Sequence, residues 1–117
     1  MANGYYIREI VHQGAEKKLG PLPFTAQGSP MDFTAYLPAD AEVVAATADG
    51  AVSINGTIAF SVGDSGELDT ATATFSASQT ALIESTDEMN LMVRVNSGTS
   101  AVVLWYGEFM PRLEVTA

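Results

Sequence analysis

Residues 63–66 read Gly-Asp-Ser-Gly, which sets a hydroxyl, a possible nucleophile, in a loop bounded by glycines. A serine of this kind acts only beside a base that a third group orients, with an oxyanion hole opposite. The sole histidine, His12, lies in a strand-like run near the N-terminus, so no triad is expected and the segment reads as a turn. Asp64, Glu67 and Asp69 put three carboxylates in the same loop, the hard oxygen donors that Ca²⁺ prefers. Their spacing departs from the D-x-[DN]-x-[DN]-G pattern of a calcium loop, so a solvated acidic loop is expected. Asp87-Glu88 reads the same way. Asn55-Gly56-Thr57 has the form of a glycosylation acceptor, but its place between two strand-like runs makes a turn the simpler reading. His12 has no neighbouring co-ligand in sequence. No catalytic, cofactor-binding or metal-binding residue is therefore expected, and no cofactor.

What remains for function is protein contact. The large aromatics Tyr5, Tyr6, Trp105, Tyr106 and Phe109 lie near the two ends of the chain. Trp and Tyr suit both sandwich cores and interface centres. Leu22 and Phe24 are isolated apolar residues in a stretch broken by Gly14, Gly20, Pro21, Pro23, Gly28 and Pro30. That stretch, Gly14–Pro30, is expected to be irregular, either a loop folded over its own core or an arm that docks on a neighbouring chain. Tyr5, Tyr6, Leu22 and Phe24 are the expected partner-binding residues, the tyrosines by adding an edge strand to a neighbour and the other two as anchors in its pockets.

Composition narrows the partner. The 117 residues carry 14 Asp and Glu against 5 Lys and Arg, a formal charge of −9. Nucleic acid binding needs clustered cations to displace counterions, and only Lys17-Lys18 are adjacent here. Neither nucleic acid nor an anionic membrane is an expected partner. A basic patch on another protein is a better match. The absence of cysteine rules out disulfides and thiolate metal sites. The first residues, MANGYYIREI, lack the basic and apolar regions of a secretory signal. Synthesis in a cytoplasm is expected, with any exit by another route, such as an assembled particle.

Apolar periodicity supplies the elements. Leu91, Val93 and Val95 alternate with Met92 and Arg94, and Ala101–Tyr106 is apolar on both faces. With Asn96-Ser97-Gly98-Thr99 between them, these runs predict a hairpin around which the chain is organised. Further strands are predicted over Gly4–Gln13, Asp32–Leu37, Ala41–Ala48, Ala51–Ile54, Thr57–Val62, Ala71–Ser76 and Thr80–Glu84. Asn55-Gly56 should be a hairpin turn, Met110-Pro111 a bend, and Leu113 and Val115 part of a terminal edge strand. The expected fold is all-β, an antiparallel β-sandwich of jelly-roll type. Residues 1–30 would form a strand and arm, and residues 31–117 the sandwich domain.

From Leu37 the order of features resembles a known group. A Leu-Pro-Ala-Asp-Ala turn precedes Val43-Val44 and Ala/Thr/Val/Gly-rich strands. The Thr/Ala run Thr70–Ser76 follows, then Thr86-Asp87-Glu88, Met89–Val95, and a small-residue-rich strand, Ser97–Tyr106, before Met110-Pro111. Over Leu37–Pro111 this pattern resembles the small β-sandwich decoration and cement proteins of tailed-bacteriophage heads. The resemblance implies a non-enzymatic virion protein on the capsid surface. It would bind and stabilise the major capsid protein lattice as a homo-oligomer, a trimer being favoured. The alternatives are a phage tail, head-fibre or adaptor component, and a carbohydrate-binding jelly roll that stacks sugar on Trp105 or Tyr106. Residues 63–66 are also similar to the nucleophile loop of trypsin-type proteases, over those four residues only.

Overall fold

A computed structural model describes residues 5–26, 28–36, 41–83, 88–96 and 101–112. Its strands are β1 (Tyr5–His12), β2 (Lys17–Pro23), β3 (Thr25–Ala26), β4 (Ser29–Pro30), β5 (Glu42–Ala46), β6 (Ser53–Asn55), β7 (Thr57–Ser61), β8 (Thr70–Phe75), β9 (Met89–Asn96) and β10 (Ala101–Arg112). One sheet has the order β1-β10-β9-β5-β6, a second β2-β8-β7, and β3-β4 form a small ribbon. The protein is an all-β sandwich. Every described pairing is antiparallel except β1 with β10, which is parallel. The jelly roll expected from strand number is not established by this order. The neighbours β10-β9-β5-β6 and β2-β8-β7 follow the G-F-C-C′ and B-E-D order of an immunoglobulin-type Greek key.

The hairpin β9–β10 forms as its periodicity predicts. Met89, Leu91, Val93 and Val95 are buried, and the residues between them face away from the core. Between Val103 and Trp105 the register slips by one residue, a bulge at Leu104. Consequently Leu104 and Trp105 are both buried, which is why this run is apolar without alternation. From the small sheet, Leu19, Ala71, Ala73 and Phe75 close the same core. Each large apolar side chain buried in this way contributes about 1.5–3 kcal/mol.

Three sequence expectations are corrected. Lys17–Pro23, expected to be irregular, is a strand of the small sheet paired with β8. Gly20 and Pro21 sit at a register shift between Leu19 and Leu22, and Pro23 ends the strand opposite Thr70, positions where an edge strand tolerates them. The run after Asp32 is a 3-10 turn, Phe33–Ala35, because the Asp32 carboxylate accepts from the Thr34 N–H at 3.0 Å and also from its hydroxyl. The segment after β8 is a helical turn, Ala77–Thr80, capped by Ser76, whose hydroxyl accepts from the Gln79 N–H.

Two further turns differ. β6 pairs with β5 and β7 with β8, so Asn55-Gly56 is a corner between sheets, not a hairpin. The Gly56 N–H donates to the Val43 carbonyl, and the Asn55 N–H donates to Gln79 Oε1 of the helical turn. β10 runs on through Met110 and Pro111 to Arg112 without ending at a bend. The Arg112 carbonyl accepts from the Gln13 N–H, so the polar groups of residue 112 face β1. Those of Pro111 face the other way, beyond Phe109, the last described partner of β9, and the missing N–H breaks no pairing to β1. The expected turns at 37–40, 86–87 and 97–99 and the edge strand at 113–115 lie outside the described residues.

Candidate interaction surface

Phe33 and Trp105 show where Phe24, the aromatic of the expected arm, resides. Phe24 is 1% exposed, with its ring edge-on to Trp105 at 5.1 Å and to Phe33 at 6.0 Å. Its N–H donates to the Asp69 carbonyl, and its carbonyl accepts from the Met31 N–H. Phe24 is therefore a core residue closing one end of the sandwich, which corrects its expected role as a partner anchor. Leu22 is half-buried against the same core. Trp105, also 1% exposed, offers no stacking platform. Tyr5 is partly exposed, donating its hydroxyl to the Pro23 carbonyl and resting on Phe24. Tyr6 alone of the four expected contact residues stands well clear of the core, at 60% exposure.

Tyr6 belongs to a larger feature that the sequence does not announce. Its register partner in β10 is Tyr106, whose partner in β9 is Met92, whose partner in β5 is Val44. Directly opposite residues share a face, so these four form one apolar row across four strands. That row lies on the outer face of the large sheet, away from the core. Tyr106 and Met92 are each 42% exposed, and the rings of Tyr6 and Tyr106 meet edge to face at 5.5 Å. Ile10, 44% exposed, and its partner Met110 extend the apolar area toward the far end of β1.

The charges on this face are paired off on either side of the row. On one side the Arg8 guanidinium holds Glu88 at 2.6 Å and Glu108 at 3.3 Å. On the other, Arg94 grips Glu42 with two nitrogens, at 3.0 and 2.9 Å. Hydrogen bonding from Arg94 holds the Glu42 carboxyl below its ordinary range, and Arg8 does the same to Glu88. Among the described residues this face carries, with Arg112, three arginines against Glu42, Glu88 and Glu108, and these charges cancel. Elsewhere among the described residues Lys17 and Lys18 stand against Glu9, Glu16, Asp32, Asp49, Asp64, Glu67 and Asp69. The described residues thus form one neutral, apolar face and an acidic remainder.

The loop with Gly-Asp-Ser-Gly is a structural staple. The Ser65 hydroxyl donates to Asp69 Oδ2 at 2.8 Å and the Thr70 hydroxyl to Oδ1 at 2.9 Å. These bonds, Ser65 first, outweigh burial and hold the Asp69 carboxyl below its ordinary range. Gly63 leaves the space, since a Cβ there would stand 2.5 Å from the Thr70 hydroxyl. Asp64 and Glu67 point to solvent. His12 is exposed at the end of β1, across from Arg112. Among the described residues no three His, Asp or Glu side chains gather as a metal site would need. No helix among them is long and apolar enough to cross a membrane.

Comparison with protein-family models, with curated proteins and with solved structures finds no match.

Proposed function

We propose that the chain is a non-enzymatic structural protein that works by protein–protein contact, a capsid decoration or cement protein of a tailed phage. The observation that carries this reading is the two-sided surface. An exposed apolar row with its charges neutralised suits contact with protein, and the acidic remainder suits a basic capsid surface. The pattern resemblance over Leu37–Pro111 supports it independently. In this reading the partner is the major capsid protein lattice, and the chain acts as a homo-oligomer on the outside of the virion. Many copies of a modest contact then stabilise the shell by avidity. Nucleic acid and membrane play no part.

A tail, fibre or adaptor role rests on the same surface and differs only in the partner. The carbohydrate-binding alternative moves from the buried Trp105 to Tyr106, which is exposed beside Tyr6. Density-gradient-purified particles from the source cells, probed with an antibody raised against the recombinant chain, test the reading. Labelling of heads is the expected result. Labelling confined to tails selects the second reading, and absence from particles overturns both.

A further inference from the structure

The outer face of the large sheet fits a second copy of itself, and we propose that the chain is a two-fold dimer through this face. The argument is one of register. Take the row Tyr6–Tyr106–Met92–Val44 as the line about which two sheets are related, stacked at the usual ~10 Å. Each residue of the row then meets its own counterpart, apolar on apolar. One step to one side lie Glu108, Asn90 and Ala46; one step to the other lie Val103, Arg94 and Glu42. The two-fold exchanges these flanks. Glu108 falls opposite Val103, Arg94 opposite Asn90, and Glu42 opposite Ala46. Arg8, beside Glu108 on the same step, has its counterpart outside the described residues. Among the described pairs no charge meets a like charge, and no ion pair must be broken.

The charge distribution points to the same occupant. Two strongly acidic molecules approach with least repulsion through the surface where each is neutral, and this is that surface. The area is adequate. Five strands ~4.8 Å apart and up to five outer-face residues ~6.8 Å apart along the longest of them span at most roughly 520 Å² of flat sheet, because β5 and β6 are shorter. With side-chain relief this approaches the ~800 Å² per partner of a standard interface. An isologous contact of this kind closes at two copies, whereas a trimer needs two different complementary patches. This inference draws on the same apolar row as the capsid reading, assigns that row to a second copy and leaves the acidic remainder to meet the capsid, and it replaces the trimer that the resemblance favours.

Sedimentation velocity of the full chain tests it. A dimer mass is expected, with association tightening as salt is raised and the net repulsion is screened. Met92→Lys and Met92→Glu should each weaken association by about a hundredfold, the scale of like charges juxtaposed in an interface. Mixed together, the two variants should restore a dimer, because residue 92 meets its own copy. Leu82→Lys, at an exposed apolar site off the face, should leave the dimer intact, and circular dichroism should show every variant folded. A monomer or trimer for the unaltered chain overturns the proposal, as does a dimer indifferent to both Met92 variants. Failure of the mixture to associate overturns the two-fold arrangement. The antibody experiment on particles reads a different quantity, so either reading can fail alone.

Discussion

Phe75 on the small sheet and Phe109 on the large sheet meet edge to face across the sandwich, with ring centres 5.2 Å apart at 76°. Both are fully buried. They couple the two layers at the end of the core remote from the Phe24–Phe33–Trp105 group. Truncating either ring removes transfer energy and leaves a cavity that the flanking strands cannot close. Phe75→Ala and Phe109→Ala should each cost about 3–5 kcal/mol, read as a lower urea midpoint.

Gly107 faces the parallel strand β1. Its φ of 138° lies where side chains are strained, and a Cβ at this position would collide with the Ile7 carbonyl oxygen. Gly107→Ala should destabilise the protein by more than about 2 kcal/mol. Gly50 provides the contrast. Its φ is also positive, at 73°, but nothing stands near a Cβ there. Gly50→Ala should cost only about 1 kcal/mol. Hydrogen exchange at β1 amides should quicken in the first variant and stay unchanged in the second.

Gly56 has a different reason for lacking a side chain. A Cβ there would lie 2.5 Å from the Thr74 carbonyl oxygen and 2.8 Å from Val43 Cγ1, at the corner where the chain changes sheets. Gly56→Ala should therefore cost about 1–3 kcal/mol by overpacking. Asn55→Ala keeps the backbone bond to Gln79 and should cost much less. A hairpin with positive φ at both residues would make the Asn55 change costly as well, so thermal melts of the pair distinguish corner from hairpin.

Asp69 sets a pH dependence. Its folded carboxyl lies below the ordinary value of 3.8, so the unfolded chain takes up a proton first as pH falls. The stability it contributes is fully present above the unfolded value and is lost as pH falls through the folded one. Melting temperature should drop below about pH 4. Ser65→Ala, which removes the leading hydrogen bond, should shallow that acid limb. Glu42 and Glu88 bend the curve the same way, but both are exposed, and salt screens their pairing with arginine.

The residues that alternate most strictly gave the most accurate reading. Leu91, Val93 and Val95 mark β9, and Ala71, Ala73 and Phe75 mark β8, because a half-buried strand writes its two faces into period two. Where local polar chemistry wins, alternation misleads: Asp32 caps a short helical turn over a run that reads as a strand, and the turn capped by Ser76 takes in Thr80, where a further strand is expected to begin. Asn55-Gly56 carries a hairpin signal, yet its glycine answers to crowding from Thr74 and Val43, which only the tertiary structure brings there. Lys17–Pro23 reads as broken because the sequence does not show that β8 will pair with it. The apolar row was illegible for a similar reason. Tyr6, Val44, Met92 and Tyr106 are scattered along the chain, and register alone sets them side by side.

The parallel pairing of β1 with β10 also governs the order in which the protein can fold. Tyr5 sits opposite Trp105, one hundred residues away in sequence. On the ribosome β1 emerges before β5 and β9 and has no strand to join until residues 101–112 have been made. For most of synthesis Val11 lacks its cover, and Phe24 waits for the ring of Trp105. The closing step therefore waits for β10, and a nascent chain halted before residue 101 would present a sticky strand to chaperones and proteases.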